Sequence, residues 1–557
     1  HLHEDGYYYT EGQTPFFPDP GMLQIRVGKG IEYDVVNDTV WITGDTTFTR
    51  SLSRLIDMKT FGWYSGDCHL HINHTGGFYG LNTLGLHRVA RAEDLNVSYG
   101  LDNGYFFTGA VDPSSTAEQL VYMSEEYRSD TYGHVDLLGL TSLVSPTFSR
   151  WMPMLIDVAD SARAQGALVV LAHPVPTSDP FDVTNWPGTG YARELPIGLL
   201  HGAYDAFEVM CYSNAPGNGI ELPTWYHALN LGFRIPPVAG TDSAINRLAD
   251  APAGGYRTYA YLGTDSLTVP NWNAAVDSGR TFVTNGPLFT DFRVNGALPG
   301  DSLVTPGTPL ALLVEISLFS RLPVDRLELV VNGIVERTVE PAGPFTSLDT
   351  TLAFTANESA WIAARVSGVE SDWHVIGDTL FAHTAPVYVS IGNDPVTDMA
   401  AANFFLDRLN DFRTVVITEG EFESAQDSLR VTAEIENALV YYGAFTATGV
   451  EADAGASIPA PLPLSLRAAP NPFRDGTGII LDVPATKSGI PALLDVRVLD
   501  IRGRAVRTLC HEYRPPGSVA FAWDGRGADG RRAPSGVYLV RATFLGRNET
   551  TRVVLVR

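Results

Sequence analysis

Between about residue 61 and residue 290, short apolar runs alternate with helical patterns, and this alternation limits the possible folds more than anything else in the chain. Met154, Leu155, Val158, Ala159 and Ala162 fall on one helical stripe, Gly166 sits where a C-cap belongs, and Ala167 to Ala172 follows as a buried strand. A second unit repeats the order. Pro223 to Leu231 is helical, Gly232 closes it, and Pro237-Val-Ala-Gly leads into Thr241-Asp242. Strands alternating with helices are the mark of an α/β domain. On both sides the period falls to two. Leu23, Ile25 and Val27 alternate with polar neighbours, as do Val40 and Ile42 after a turn signal at Asn37-Asp38. Leu312, Val314 and Ile316 do the same, Asn332-Gly333 marks a two-residue hairpin, and Trp361 to Val366 reads as a strand.

The expected organisation is multidomain, α/β plus β. A β segment fills 1–60, the α/β domain 61–290 and a β-sandwich 291–392. A helical segment, 393–445, carries Phe405, Leu409 and Phe412 on one face of its first helix, and Val431, Ile435 and Leu439 on one face of its second. A Gly/Ala/Pro-rich linker at 446–463 leads to a compact β module at 464–557, whose turns fall at Asn471-Pro472, Arg502-Gly503, Trp523-Asp-Gly525 and Pro534-Ser-Gly536.

Length alone suggests three to five domains, and 45% hydrophobic residues suffice for a large core. Lys+Arg is 38 against Asp+Glu 63, a net charge of −25, which argues against nucleic acid and against anionic membrane surfaces. No run approaches the roughly 18 uncharged apolar residues of a membrane-spanning helix, so no membrane insertion is expected. The opening His1-Leu-His-Glu-Asp is what a processed or truncated N-terminus would look like. Cys68, Cys211 and Cys510 are too few and too scattered for a disulfide framework.

The densest chemical signal is Gly66-Asp-Cys-His-Leu-His-Ile-Asn-His74. In a strand, alternate side chains share a face, so Asp67, His69 and His71 point one way while Cys68, Leu70 and Ile72 point into the packing. Two imidazoles and a carboxylate suit a divalent Zn, Mn or Fe ion. A bare H-x-H is more often a pair of surface histidines on a loop. Downstream residues shift that balance: Glu125-Glu126-Tyr-Arg, Gly133-His134, Ala172-His173-Pro174 at the end of an apolar strand, and Gly240-Thr241-Asp242 at the end of another. Strand C-terminal tips are where α/β folds place their sites. Glu208 is either a further ligand or a buried strand-end acid. Arg128 and Arg257 are candidates for gripping an anionic substrate, although an exposed arginine is usually only solvated.

In this order, H-x-H, a distant Glu, G-H, A-H-P and a late T-D resemble the PHP (polymerase and histidinol phosphatase) metallohydrolase superfamily. The nearer likeness is to its carbaryl-hydrolase-like CehA/McbA branch. The motifs are Gly62-Trp-Tyr-Ser-Gly-Asp-Cys-His-Leu-His71, Ala92-Glu-Asp-Leu-Asn-Val97, Glu126-Tyr-Arg128, Ala164-Gln-Gly-Ala167, Leu229 to Pro236, Ala239-Gly-Thr-Asp242 and Gly279 to Pro287, spread over residues 20 to 440. The resemblance implies a distorted (β/α)7 barrel with metals at the strand C-termini. It places His69, His71, Glu126 and Asp242 around one ion, and Glu126, His134 and His173 around a second. The third-metal pattern is interrupted: Asp102-Asn103-Gly104 replaces Asp-His-Asn, Asp242-Ser-Ala244 replaces Asp-x-His, and His74 lies close to the first motif. Two ions, or one ion with a weakly held second, Zn, Mn or Fe, are therefore expected.

Two ions about 3.5–4 Å apart can hold a hydroxide and polarise a carbonyl or phosphoryl oxygen. The implied activity is hydrolysis of a small-molecule ester, carbamate, amide or phosphoester, with Asp67 orienting a ligand histidine and Cys68 not acting as nucleophile. The alternative is a cell-surface structural or adhesive protein, possibly self-assembling, that keeps a metal-stabilised barrel without turnover. Ala469-Pro-Asn-Pro-Phe473, Val498 to Arg504, Trp523-Asp-Gly-Arg526 and Pro534 to Val540 resemble FlgD-type immunoglobulin-like domains and the C-terminal sorting domains of type IX-like export. That likeness implies attachment through the C-terminal module and a bacterial, secreted or outer-surface protein.

Overall fold

A computed structural model describes residues 9–556 except 74–79, 103, 105, 145–149, 175–178, 185, 187–189, 212–219, 248–250, 307–308, 370–378, 393–395, 447–464, 484–491, 502, 515–516, 529 and 545–546. His74, Asn103 and nearly all of the expected linker lie outside the described residues. The chain divides into two compact units, 1–195 with 203–401, and 196–202 with 402–557.

The first unit opens with an antiparallel pair, β1 (Gly21–Val27) and β2 (Val36–Ile42). Asn37 and Asp38 lie inside β2 rather than in a turn: Asp38 faces Ile25 in the ladder and its carboxylate holds Arg50. Then come β3 (Trp63–His71), α1 (Thr83–Ala92), β4 (Val97–Gly100), β5 (Leu120–Met123), β6 (Glu125–Ser129), β7 (Gly133–Leu138), α2 (Leu155–Arg163), β8 (Leu168–Leu171), α3 (Leu195–His201) and β9 (Ala206–Cys211). They are followed by α4 (Pro223–Asn230), β10 (Pro237–Gly240), β11 (Ser243–Ala244), β12 (Arg257–Tyr261), α5 (Val269–Asp277) and β13 (Thr281–Thr284). Helix α2 forms where the apolar stripe predicts it. Its first N–H groups, on Leu155 and Ile156, donate to the Glu194 carboxylate at 2.8 and 2.9 Å, and it is followed by Gly166 at φ +82°.

These strands lie in two sheets. One has the order β10-β9-β8-β7-β6, and the other contains β13-β12-β3-β4-β5. The two meet where β5 runs into β6 through Ser124. They meet again beside β3, where Thr241, just after β10, donates its backbone N–H to Asp67 and Ala239 donates to Thr258 Oγ1. The expected closed (β/α)7 ladder is not formed. β6, β7 and β8 are antiparallel neighbours, as are β3, β12 and β13; a short return, Asp130 to Tyr132, joins β6 to β7, whereas α2 lies between β7 and β8 and α5 between β12 and β13.

The second sheet also runs across the boundary expected near residue 290. β13 pairs with β21 (Leu380–Thr384), after β14 (Leu288–Val294), β15 (Ser302–Thr305), β16 (Leu310–Val324), β17 (Arg326–Val331), β18 (Ile334–Val339), β19 (Phe345–Ala356) and β20 (Ala360–Gly368). With β22 (Val387–Ile391) the sheet reaches β15. β14, β16 and β19 form a facing three-stranded sheet, and Phe289, Phe292, Val314, Ile316, Leu329 and Ile362 fill the core between them. Asn332 and Gly333, both at positive φ, make the β17–β18 turn as their dipeptide predicts.

In the second unit, α6 (Met399–Glu419) and α7 (Ala425–Thr446) bury Phe405, Leu409, Phe412, Val431 and Ile435, and Tyr442 donates to Pro196 O of α3. The last residues form a sandwich. One sheet holds β23 (Ser465–Ala469), β24 (Thr477–Val483) and β27 (Gly517–Trp523); the other holds β26 (Ala505–Arg514), β25 (Ala492–Leu499), β28 (Gly536–Phe544) and β29 (Arg547–Leu555). Trp523 packs on Phe473 and Tyr538 in its core. No described helix is long and apolar enough to cross a membrane.

Candidate metal centre

Six ligand-type side chains from five different segments converge in the first unit. His69 and His71 come from the end of β3, Glu126 from β6, His134 from β7, and His173 and Asp242 from just beyond β8 and β10. His173 at φ +25° and Asp242 at φ +49° hold left-handed backbone, which costs about 1–3 kcal/mol each and persists where surroundings over-determine it. For His173 the surroundings include Glu208, whose Oε2 accepts the His173 N–H at 2.6 Å. Gly240 must be glycine, because a Cβ there would lie 2.3 Å from Glu208 Oε1 and 2.5 Å from the His69 side chain.

Glu126 sits at the middle and divides its two oxygens. Oε1 lies 2.9 Å from His134 Nδ1 and 3.1 Å from His173 Nε2, which are themselves 3.4 Å apart. Oε2 lies 3.4 Å from His71 Nε2 and 3.6 Å from His69 Nε2. Asp242 Oδ1 completes that side at 3.1 Å from His71 Nε2 and 3.3 Å from His69 Nε2. Ligands about 2.0–2.2 Å from a tetrahedral ion are about 3.3–3.6 Å from one another. The spacings around Glu126 Oε2 and Asp242 Oδ1 fall close to that range. His69 Nε2, fully buried, has no aligned hydrogen-bond partner although it faces this cluster. The donor set and the orphaned nitrogen fit a divalent cation.

Carboxylates stand behind the rings. Asp136 Oδ2 is 3.2 Å and Glu208 Oε2 3.5 Å from His69 Nδ1, neither aligned for a hydrogen bond, while Asp102 Oδ1 is 3.5 Å from His71 Nδ1. Burial opposes charging of the His69 imidazole, but Asp136, Asp242 and Glu208 outweigh it and raise its pKa well above the usual value. Burial likewise opposes the His71 proton, yet Asp102, Asp242 and Glu126 carry its pKa up to about 10. Burial pushes Asp136 up to about 7, against the pull of His69. Burial acts upward on Glu126 too, and is overcome by hydrogen bonds from His134 and His173, which hold it well below the ordinary range. Several buried carboxylates around four imidazoles make a strongly cation-seeking pocket.

The opening is marked by partial exposure of Asp242, His134, Arg128 and Tyr191, whose ring lies 5.6 Å from His134 and 5.3 Å from His173. Arg128 contacts Glu126 Oε2 and lies 3.3 Å from His71 Nε2, with its side chain 40% exposed. Two expected roles do not hold. Arg257 is buried and donates to Gly254 O and Glu93 O, so it ties loops together and cannot reach a substrate. Asp67 touches no ligand ring; it accepts from the N–H groups of His69, Thr241 and Gly254 and from the Thr241 hydroxyl, fixing the backbone on which two ligands stand. Cys68 points into the packing, 3.7 Å from Thr258 Oγ1.

Asp136 and Tyr191 were not anticipated. A charged residue inside Val135-Asp136-Leu137-Leu138 was the available signal for the first. Nothing in the sequence singles out Tyr191 within its loop. Glu208 is a buried acid inside β9 rather than at its end; it accepts from the His173 N–H, and with His69 and Cys211 it forms a second grouping of ligand-type atoms.

A family model described as FlgD Ig-like domain matches residues 485–546. No curated protein matches the chain. Among solved structures the chain is similar to dimeric latent PorU of Porphyromonas gingivalis, at 13% identity and TM-score 0.15, over 49% of this chain and 20% of that one. It is similar at 12% identity and TM-score 0.13 to PorZ, a surface component of the type-IX secretion system of the same organism, over 56% of this chain and 39% of that one. Fibronectin(III)-like modules of Clostridium thermocellum CbhA match at 10% identity and TM-score 0.17, over 48% of this chain and 94% of that one. Likenesses this slight carry no weight for fold or activity; what does is the family match, and it gives the chain a FlgD-type Ig-like domain at its C-terminal end.

Proposed function

We propose that this protein is a metal-dependent hydrolase of the PHP type, acting outside the cell or at its surface on an ester, carbamate, amide or phosphoester. The observation that carries the reading is the bridging position of Glu126, one oxygen turned to His134 and His173 and the other to His69 and His71. His69, His71, Glu126 and Asp242 would hold one ion, and Glu126, His134 and His173 a second. A divalent ion held there supplies Lewis acidity, acidifying water and polarising a carbonyl or phosphoryl oxygen. The chain's own residues do the rest. Asp136 and Glu208 set negative charge beside His69 and Asp102 beside His71, Arg128 offers a guanidinium at the opening to an anionic or polarised oxygen, and Tyr191 walls the side of His134 and His173. Counting β5 and β6 as one strand kinked at Ser124, seven strands run from β3 round to β10, which supports a barrel-derived scaffold. The FlgD Ig-like match supports the extracellular placement.

The test is elemental mass spectrometry on protein purified without added metal or chelator, followed by a panel of carboxylic, carbamic and phosphoric esters. About two Zn, Mn or Fe ions per chain and turnover of one ester class, abolished in His173→Ala, are expected. A metal-loaded protein inert to the whole panel would sink the hydrolase reading and leave a metal-stabilised surface protein in its place.

A further inference from the structure

The chain's charge is divided very unevenly. Residues 465–557 hold 15 of the 38 basic residues and only 8 of the 63 acidic ones, so the C-terminal module carries +7 while residues 1–464 carry −32. Fourteen of those 15 are arginine. The register of the four-stranded sheet brings three of them to one place. Arg497 on β25 lies directly opposite Arg541 on β28, and Arg552 on β29 is two residues along from Thr550, the partner of Arg541. Partners across a ladder share a face, as do residues two apart. The neighbouring residues Val496, Val498, Val540, Ala542 and Val553 are buried in the sandwich core, so the arginine face is the outward one. Three cations thus stand across three adjacent strands within about 12 Å, two strand spacings across and two residues along.

Like charges directly opposite in a sheet are destabilising. Asp495, on the same face, pairs with Arg497, at 3.0 and 2.8 Å. Arg541 and Arg552 are exposed, and among the described residues their side chains enter no ion pair. Thr508, Thr543 and Thr550 add hydroxyls between them. Such a face offers bidentate guanidinium donors to sulfate, carboxylate or phosphate groups. It has no exposed large aromatic side chain among the described residues, so the stacking platform of single-stranded nucleic-acid binders is missing.

We propose that the outward face of β25, β28 and β29 binds an anionic polysaccharide, so that this basic module holds an otherwise acidic protein on a polyanionic surface. The reading is independent of the metal centre. The test uses the full chain and immobilised dextran sulfate across a salt series, with neutral dextran and a DNA duplex as comparisons. Bulk charge predicts no retention, since the whole chain carries −25. Retention on dextran sulfate but not on dextran is expected, with log affinity falling linearly as log salt rises. The double variant Arg541→Ser, Arg552→Ser should bind about tenfold or more weakly, with the salt slope reduced by about two, one per arginine. Its melting temperature should not fall, and relief of the Arg497–Arg541 opposition should raise it slightly. Arg474→Ser with Arg532→Ser, on the same module but off this face, should bind within about twofold of the parent. No retention of the parent, equal losses in both double variants, or tighter binding to the duplex than to dextran sulfate would each overturn the proposal.

Discussion

The two halves of the metal centre share Glu126 but are built differently. Around His69 and His71 the rings are almost wholly buried, and each has a carboxylate behind it, Asp136 and Glu208 for one and Asp102 for the other. Around His134 and His173 there is less support. His134 is partly exposed, burial holds its pKa below the ordinary value, and His173 Nδ1, buried without an aligned hydrogen bond like His69 Nδ1, has no carboxylate paired with it among the described residues. A carboxylate behind an imidazole fixes its tautomer and raises its basicity as a ligand. On the proposed reading, the deep half would retain a cation, while the shallow half, beside Tyr191 and the opening, would exchange what it holds.

The largest expected effect breaks both halves together. Glu126→Ala removes the only group that serves each side, so metal content should fall from about two ions per chain toward none, and turnover with it. If Glu126→Ala kept both ions, the two clusters would be separate sites and the comparison between them would lose its ground.

Next comes the difference between the halves. His69→Ala should strip the retained ion and leave less than one per chain, whereas His134→Ala should keep about one. Equal losses would mean that the carboxylates behind His69 and His71 contribute nothing to retention. Both variants should be read by elemental analysis and by melting temperature with and without chelator. A bound ion stabilises the folded state by mass action, so the chelator-sensitive part of the melting temperature should follow the ion count.

The same contrast explains what the sequence could and could not disclose. Of the candidate ligands, His173 and Asp242 were legible as strand-end residues of the wrong type for packing: histidine after Ala167 to Ala172, and aspartate after Pro237 to Gly240. Each is set by a local pattern of buried strand then polar tip, which survives without knowledge of the partners. The parity of β3 also held for Cys68 and Leu70, both buried in apolar clusters. It misled at Asp67, because sharing a face with His69 says nothing about whether a side chain turns to the ring or to the N–H groups of Thr241 and Gly254. Arg257 failed for a similar reason: an arginine at a strand start reads as exposed until the loop at Gly254 is seen to close over it. The sheet arrangement was the least legible part. The resemblance implied a (β/α)7 barrel, but β6 and β7 pair antiparallel across the three residues Asp130 to Tyr132, a return that periodicity does not weigh, and β7 and β8 pair antiparallel although α2 lies between them.

A smaller effect sharpens the account of the deep half. Asp136→Asn keeps every ligand and nearly every atom, but it removes the charge facing His69 Nδ1. Outer carboxylates of this kind are worth about 10–100-fold in metal affinity. Both Asp136 oxygens are buried without an aligned hydrogen bond, so the neutral amide should also relieve a burial penalty in metal-free protein. Weaker metal binding should therefore accompany a higher melting temperature in chelator, two shifts of opposite sign. Shifts of the same sign would show that Asp136 supports the fold rather than the ligand.

The smallest expected effect concerns the residue between the two β3 histidines. Cys68 shares the strand with His69 and His71 but faces the opposite side, against Thr258 and the apolar residues Val97, Tyr99 and Trp272. Burial pushes its thiol well above the ordinary range, against the opposing hydrogen bond with Thr258, so no thiolate is available for attack at neutral pH. Cys68→Ser exchanges a weak donor for a stronger one next to the Thr258 hydroxyl and should lower stability by about 1 kcal/mol. Metal content should not change, and turnover should stay within a few-fold of the parent. Steady-state kinetics beside elemental analysis decides the matter. Complete loss of turnover at unchanged metal content would place the sulfur in the chemistry and reverse the orientation of β3 on which the whole ligand assignment depends.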